Sequence, residues 1–189
     1  MIQMVVAQRI DGIIPAGEQV PMIIGIVSDS HGNLRRLEAA LAAMAERNVQ
    51  AIVHCGDIVD GESIRQLATA GVPAYVVAGN MDRHAAELQA AAQQCGVKFG
   101  WEVIEVPLDD GRYLVAMHGH DEKILGEMIA EQQFPYVCHG HTHRFRDEHI
   151  GGVRVINPGA LRHARGHHGP TVAVLDTQTD TLERIAIHS

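Results

Sequence analysis

The segment MIIGIVSDSHGNLRRLEAALAAM, residues 22–44, decides the fold. Its first part, Met22 to Val27, is a short apolar run rich in β-branched residues, which predicts a buried strand. A turn-forming loop, Ser28 to Asn33, ends that strand. Apolar residues then recur at spacings of three and four, which predicts a helix with Asn33 as its N-cap. The segment therefore predicts a strand, a polar loop and a helix.

The same pattern is found twice more along the chain. The predicted strands Ala51 to His54 and Pro73 to Ala78 are each followed by a polar loop that contains glycine. Helices are predicted at about residues 62–70 and 83–94, with Asp82 as a cap of the second. Helical crossovers between successive strands indicate a largely parallel sheet, so the polar loops should gather at the carboxyl ends of its strands.

From residue 103 onward the pattern changes to strands with fewer helices between them. The turn Asp109-Asp110-Gly111 separates strand-like runs at 103–108 and 112–117, which predicts a hairpin. A helix is predicted at 121–132, and further strands at 136–138, 153–156, 171–175 and 181–187. Crossovers followed by hairpins predict an α/β fold of two mixed sheets packed face to face, with helices covering their outer faces.

The composition predicts one soluble domain that does not bind nucleic acid strongly. The chain has 189 residues, 46% of them hydrophobic, which is enough for a substantial core. Its formal charge of -8 argues against general contacts with a phosphate backbone. No apolar stretch approaches the roughly 20 residues of a membrane span. The start of the chain also lacks a secretory signal, so we expect a cytoplasmic protein.

Three further expectations concern the ends of the domain, its cysteines and its assembly. Residues 1–21 do not fit the pattern and are treated as an N-terminal extension of unknown role, which leaves 22–189 as the single domain. Cys55, Cys95 and Cys138 form no C-x-x-C pair and are expected to be reduced core thiols. A monomer and a homo-oligomer both stay open.

Five polar loops carry residue types that bind divalent metals. In chain order they contain Asp29 and His31, then Asp57, then Asn80, then His118 and His120, and last His141 and His143. An Asp and a His two residues apart can turn toward one point at a strand end, and adjacent glycines let the backbone approach a metal or a phosphate. Oxygen and imidazole donors without thiolate suit Mn, Fe, Co, Ni or Zn in a catalytic site. The alternative is a set of loop-capping residues beside surface histidines.

These motifs resemble those of the calcineurin-like metallophosphoesterases, especially the small bacterial and archaeal metal-dependent phosphodiesterases. The family's motifs occur here in order as Asp29-x-His31, Gly56-Asp57, Gly79-Asn80, His118, Gly140-His141-x-His143 and Asn157-Pro158-Gly159. The resemblance runs from Met22 to the neighbourhood of Ile187. It implies a four-layer α/β/β/α sandwich, which agrees with the predicted strands and helices.

The resemblance also implies two divalent cations, with Mn expected first and Ni, Co, Fe or Zn as alternatives. One cation would be held by Asp29, His31 and His143, the other by Asn80, His118 and His141, and Asp57 would bridge them. Two cations offset the charge of a phosphodiester and lower the pKa of a shared water, so we expect a bridging hydroxide to attack phosphorus directly. The amide of Asn80 would then donate a hydrogen bond to a phosphoryl oxygen.

Met81 departs from part of the family's pattern. In many phosphomonoesterases and protein phosphatases of the superfamily, a His follows the ligand Asn and protonates the leaving oxygen, which a thioether cannot do. The small phosphodiesterases often have Cys-Asp here, and Met81-Asp82 is more similar to that pair. We therefore expect a phosphodiesterase that acts on a small phosphate ester. His120 could act as an acid or support a ligand, or it could simply start the next helix.

Alternatives to this function stay open from the sequence. The fold could serve as a non-catalytic protein-binding scaffold, or the same site could act as a phosphomonoesterase or a nuclease, although a nuclease needs a basic groove. His54 is expected to pack in the core beside the site. Arg162 and Arg165 lie in a loop, Ala160 to Gly169, that is expected to be solvated, with contact to a substrate phosphate as the alternative.

Overall fold

The computed structural model describes residues 23–188, so the predicted extension at residues 1–21 lies outside the described part of the chain. The helices are α1 (Leu34–Ala45), α2 (Gly61–Ala68), α3 (Ala85–Cys95) and α4 (Glu122–Glu131). The strands are β1 (Ile23–Val27), β2 (Ala51–His54), β3 (Ala74–Val77), β4 (Lys98–Gly100), β5 (Val103–Pro107), β6 (Tyr113–Met117), β7 (Tyr136–Cys138), β8 (Phe145–Ile150), β9 (Val153–Pro158), β10 (Thr171–Asp176) and β11 (Thr181–Ala186). Within residues 23–188 no helix has the length and apolar character needed to cross a membrane.

The strands form two mixed sheets. The first has the order β11-β10-β1-β2-β3-β4, in which β1 to β4 are parallel and β10 and β11 are antiparallel to their neighbours. The second has the order β5-β6-β7-β9-β8, with β6, β7 and β9 parallel and the two edge strands antiparallel. The mixed sheets and both predicted hairpins, β5–β6 and β10–β11, are thereby confirmed.

The layers are held together by three apolar clusters. Leu37 of α1 and Leu67 of α2 belong to a cluster between the first sheet and helices α1 to α3. Ile26 and Leu114 belong to a second cluster between the two sheets, and Ile129 of α4 to a third on the outer face of the second sheet. Burial of apolar area against both faces of each sheet fixes a four-layer α/β/β/α sandwich, as predicted.

Two strands were not predicted from the sequence, and both are short or exposed. β4 has three residues and extends the first sheet beside β3. β8 has the sequence FRDEHI, and most of its residues are exposed at the edge of the second sheet. Charged residues on an edge strand hinder pairing with other chains, but they also remove the apolar alternation by which a strand is predicted.

Candidate metal centre

All the predicted ligands lie in loops at the carboxyl ends of strands. Asp29 and His31 follow β1, Asp57 follows β2 and Asn80 follows β3 in the first sheet. His118 follows β6 in the second sheet, and His141 and His143 follow β7. Backbone hydrogen bonds join these loops, including Asp29 N to Gly56 O at 3.0 Å and Gly140 N to His118 O at 3.0 Å. The two sheets therefore contribute to one site at a shared edge.

The first group of donor atoms comes from the loops after β1 and β7. Asp29 Oδ1 lies 3.1 Å from His143 Nε2 and 3.9 Å from His31 Nε2. Atoms of Asp29, His31 and His143 all lie within 4.8 Å of one another. This spacing lets one carboxylate and two imidazoles meet at a single cation, as the resemblance implied.

The second group comes from the loops after β2, β3, β6 and β7. Asn80 Oδ1 lies 2.9 Å from His118 Nε2 and 3.0 Å from His141 Nδ1. Asp57 Oδ2 lies 3.4 Å from His118 Nε2 and also 3.8 Å from His31 Nε2 of the first group. One oxygen of Asp57 thus faces both groups, and a carboxylate oxygen of Asp29 also lies within 4.8 Å of ligand atoms of Asp57 and His118. All seven predicted ligands are brought together here.

Two buried atoms of this site that could bind a metal have no hydrogen-bond partner among the described residues. They are Asp29 Oδ1 and His31 Nε2, and both face the first group. A buried polar atom without a partner loses about 1–3 kcal/mol relative to its hydrated state, so such atoms are rarely left unused. A divalent cation would satisfy both. The residues present therefore fit the metal that the motifs imply.

The backbone of the ligand loops is held in a conformation that L-residues seldom adopt. Asp29, His31, Asp57, His141 and His143 all have φ between 44° and 64°. Such left-handed residues other than glycine cost about 1–3 kcal/mol each, and they persist only where the surroundings enforce them. The hydrogen bonds between loops supply that constraint, and the result is that side chains from separate loops turn toward one point.

Gly140 lets the loop after β7 approach the loop after β1. A Cβ atom at this position would overlap Ser28 Oγ and would stand 2.7 Å from Asp29 Oδ2. Gly79 has the same role after β3, since a Cβ there would overlap the Asp57 side chain and backbone. The glycines beside the ligands are therefore required by close packing and not only by turn geometry.

Neighbouring groups keep both site carboxylates ionised. Burial raises the pKa of Asp29, but the contact with His143 and a 2.5 Å hydrogen bond from Ser28 Oγ outweigh it, and the pKa lies below its usual value. Burial likewise opposes ionisation of Asp57, while His118 and the backbone N–H of Met81 lower its pKa overall. Both carboxylates are therefore negative at neutral pH, as a cation site requires.

The pKa values of the four ligand imidazoles depend on burial and on these two carboxylates. Burial lowers the pKa of His118, but Asp57, Asp29 and the carbonyl of Cys55 together raise it above its usual value. The pKa of His143 is raised chiefly by Asp29, against opposition from burial and from the nearby Arg165. Burial lowers the pKa of His31 and of His141, which favours the neutral ring that can bind a metal.

Backbone carbonyls orient two of the ligand histidines. His118 Nδ1 lies 2.8 Å from Cys55 O, and His143 Nδ1 lies 3.0 Å from His163 O. A carbonyl can only accept, so in each ring Nδ1 carries the proton and Nε2 is left with a lone pair. Sequence reasoning missed these supports because a carbonyl belongs to every residue and leaves no signature.

Asp82 was predicted to cap α3, and that prediction was wrong. The N-cap of α3 is His84, and Asp82 is buried instead. Its Oδ2 accepts from Asp57 N at 2.9 Å, Ile58 N at 3.4 Å and Gly79 N at 2.7 Å, and its Oδ1 from Val59 N at 2.7 Å. One carboxylate thus joins the loop after β2 to the loop after β3. The reason is that a buried carboxylate needs hydrogen-bond donors, and four backbone N–H groups lie close to Asp82. A helix cap near the surface would supply fewer.

His54 and His120 lie near the ligands in different ways. His54 is fully buried, as expected, and its Nε2 lies 2.9 Å from Ser30 Oγ, between Asp29 and His31 in the chain. His120 is exposed, and its ring centroid lies 5.6 Å from that of His118 and 6.3 Å from that of His141. His54 therefore supports the loop that carries Asp29 and His31 from the buried side, through Ser30. His120 lies at the solvent-exposed side of the site.

Comparison with known proteins gives the family of the chain and several relatives. The model of the calcineurin-like phosphoesterase superfamily domain matches residues 22–180. A phosphodiesterase of Methanocaldococcus jannaschii is 29% identical over 168 residues, which cover 88% of this chain and 99% of that protein. A probable metallophosphoesterase of Mycoplasma pneumoniae is 30% identical over 174 residues, which cover 86% of this chain and 94% of that protein.

A solved structure described as a novel archaeal phosphodiesterase is similar throughout. It matches with a TM-score of 0.80 and 29% identity, over 88% of this chain and 100% of that one. The resemblance stated from the motifs is thereby confirmed, and so is the sandwich fold. Because the family model spans most of the chain and the ligand motifs converge in one site, the chain belongs to the calcineurin-like phosphoesterase superfamily.

Proposed function

We propose that this chain is a phosphodiesterase that holds two divalent cations and hydrolyses a small phosphate diester. The observation that carries the proposal is the position of Asp57 Oδ2, 3.8 Å from His31 Nε2 and 3.4 Å from His118 Nε2. Its other oxygen, Oδ1, accepts a hydrogen bond from Met81 N at 2.8 Å. The side chain is therefore fixed with one oxygen toward both groups of donors, as a bridging ligand must be.

Each cation would have its own set of protein donors in addition to Asp57. Asp29, His31 and His143 would hold the first, and Asn80, His118 and His141 the second. When bound, the pair would offset the negative charge of a phosphate ester and lower the pKa of water toward neutrality. The donor set contains no thiolate and contains more imidazole than Mg²⁺ usually accepts, so Mn, Fe, Co, Ni or Zn suits it better.

Asn80 would have a second task toward the substrate. Its Oδ1 lies among the donors of the second group, which leaves the two hydrogens of Nδ2 free to donate. The residue is exposed at the open side of the site, where a phosphoryl oxygen can reach it. A fixed donor of this kind stabilises charge that grows on phosphoryl oxygens during attack.

The preference for diesters rests on Met81. Its backbone N–H is engaged with Asp57, and its side chain has no proton to give to a leaving oxygen. Relatives named as phosphodiesterases support the same class of substrate. A non-catalytic scaffold would not need seven converging donors or the strained backbone that orients them, so catalysis accounts better for the site.

The test is reconstitution of metal-free protein with one metal at a time. Mn, Ni, Co, Zn and Mg are added separately, and hydrolysis of matched aryl phosphate monoesters and diesters is followed together with the number of metal ions bound per chain. We expect two ions per chain and faster turnover of the diester. A chain that binds two ions but hydrolyses neither ester would contradict the proposed function.

The variant Asp57→Asn tests whether hydrolysis takes place at this site. The amide keeps an oxygen for Met81 N but directs an NH2 group toward the two donor groups, so turnover should fall by more than about a hundredfold, since even outer partners of ligands cost 10–100-fold. The bound metal should fall below two ions per chain while circular dichroism is unchanged. In heavy-oxygen water, direct attack puts one labelled oxygen into the product phosphate, and a trapped phosphoenzyme would contradict it.

A further inference from the structure

The loop Ala160–Gly169, named here the arginine loop, is fastened to the ligands of the first group. Leu161 N donates to Ser28 O at 3.2 Å, Arg162 N to Asp29 O at 3.0 Å, and Arg165 N to His143 O at 2.8 Å. Arg162 Nη1 also donates to His31 O at 3.1 Å. Together with the bond between His143 and His163 O, these contacts make the loop a fixed wall of the site.

The arginine loop is cationic although the chain as a whole is acidic. It contains Arg162, Arg165 and three histidines and no acidic residue, in a chain of formal charge -8. Arg162 and Arg165 are exposed, and neither forms an ion pair with a carboxylate of residues 23–188. Other arginines do form such pairs, for example Arg112 with Asp110 and Arg154 with Asp147.

Positive charge at this position needs an explanation, because it opposes the binding of a dication. The guanidinium of Arg162 donates to His31 O, and that of Arg165 is close enough to His143 to oppose its protonation. Both groups repel a cation, and solvent only partly screens that repulsion within a Debye length of about 8 Å. An anion in the space between the wall and the site would offset that repulsion, in addition to the carboxylates of Asp29 and Asp57. One phosphate is already accounted for by the cations and Asn80.

We propose that the arginine loop binds a second phosphate group of the substrate, through Arg165 and Arg162. The inference rests on the proposed function and narrows its substrate to small phosphodiesters that carry a further phosphate away from the bond that is cleaved. Arg162 uses one N–H on His31 O and keeps its remaining donors. The guanidinium of Arg165 makes no hydrogen bond within residues 23–188, so its whole planar fork is available for bidentate contact with phosphate.

The probes are alkanediol phosphates with two to six carbons, each as a bisphosphate and as the monophosphate of the same length. The monophosphate can occupy only the metal site, whereas a bisphosphate of suitable length also reaches the arginine loop. The series of chain lengths covers a range of distances between the metal site and the loop. Inhibition of diester hydrolysis gives the inhibition constants, and calorimetry of the metal-loaded protein gives dissociation constants without reference to turnover.

The informative variant is Arg165→Gln, because the main-chain bond of Arg165 to His143 O is retained. We expect the best bisphosphate to bind wild type about tenfold or more tightly than its monophosphate, the scale of a charge-assisted hydrogen-bonded pair. Arg165→Gln should lose that advantage and leave monophosphate binding unchanged. Arg112→Gln removes the same charge at the amino end of β6, the far end from His118, and should behave like wild type.

Three results would overturn the inference. They are equal affinity for both members of every pair, an advantage that survives in Arg165→Gln, and an advantage lost equally in Arg112→Gln. The second of these results would also follow if the bisphosphate merely removed metal from the site, because chelation acts equally on wild type and Arg165→Gln. If the chain hydrolyses no ester, the proposed function fails, while calorimetry still decides whether the loop binds a second phosphate. Should Arg165→Gln fail to fold, Arg162→Lys is measured in the same way, with a smaller loss expected.

Discussion

Met81 is the residue at which this chain should differ most from phosphomonoesterases. It follows Asn80 directly, the residue is 42% exposed, and a thioether cannot protonate a leaving oxygen. We expect the turnover of substituted aryl phosphates to fall steeply as the pKa of the leaving phenol rises. Met81→His should flatten that dependence and raise monoester turnover, because an imidazole can act as the acid. A flat dependence in wild type would contradict this account, and Met81→Leu serves as the control.

His54 should make the stability of the metal-free protein depend on pH. Burial lowers the pKa of His54 to about 4, with partial opposition from Asp29. The unfolded chain binds this proton near pH 6.5 and the folded chain only near pH 4, so the stabilisation is complete above pH 6.5 and is lost as the pH falls through that window. The effect of one such group is about 1.4 kcal/mol per pH unit.

The measurement is urea unfolding of metal-free protein at several pH values between 5 and 6.5. His54→Gln should reduce the slope of unfolding free energy against pH by up to that amount. Ser30→Ala removes the hydroxyl that contacts His54 but no titrating group, so it should lower stability at every pH and keep the wild-type slope. Equal slopes for wild type and His54→Gln would show that another group carries the dependence.

At the scale of elements, Asp82 should couple metal binding to the packing of two loops. Its carboxylate accepts from amides after β2 and from Gly79 after β3, and among these is the amide of Asp57. In Asp82→Asn one oxygen becomes an NH2 group that faces a backbone N–H, so at least one donor loses its partner. We expect a fall of about 1–3 kcal/mol in unfolding free energy and weaker metal binding.

Calorimetric titration of Mn²⁺ and chemical unfolding measure the two effects of Asp82→Asn. Asp176→Asn is the matched control, because Asp176 also accepts two backbone N–H groups but does so in the turn before β11. It should lower stability by a similar or smaller amount and leave metal affinity unchanged. Metal affinity that is equal in wild type and Asp82→Asn would limit Asp82 to a purely structural role.

At the scale of the whole molecule, Arg154 connects the two sheets away from the metal centre. On β9 it pairs with Asp147 of β8, with Nε–Oδ1 at 2.8 Å and Nη2–Oδ2 at 2.9 Å. Its Nη1 reaches Asp180 Oδ1 at 2.9 Å, in the turn between β10 and β11 of the other sheet. Tyr136 OH donates to the same carboxylate at 3.2 Å.

Arg154→Gln should therefore destabilise the fold without affecting the site. Loss of this largely buried guanidinium leaves both carboxylates without their charged partner, and we expect a decrease of about 2 kcal/mol in unfolding free energy. Arg146→Gln breaks an exposed pair with Glu148, both on β8, and should change stability by at most about 0.5 kcal/mol. Chemical unfolding curves compare the two variants. A loss of metal binding in Arg154→Gln would contradict the expectation that Arg154 does not affect the metal centre.

Much of this molecule could be predicted from the sequence, because apolar periodicity reports burial segment by segment. The alternation of strand and helix through residue 95 identified β1 to β3 and their crossovers, and the Asp-Asp-Gly turn identified the β5–β6 hairpin. Residue types and their order likewise indicated which loops would converge at the candidate site. β4 and β8 were missed, because a three-residue strand and a charged edge strand exist through their neighbours and have little pattern of their own.

The sequence by itself determined which segments are buried, the order of the polar loops and the kinds of donor atom that they carry. Only the tertiary structure decided that Asp29 meets His143 across the chain, that Asp57 faces both groups, that Asp82 joins two loops instead of capping a helix, and that the arginine loop borders the site. The physical reason is that burial is a local property which composition records, whereas a contact between distant residues depends on how two sheets pack, and no single segment encodes that packing.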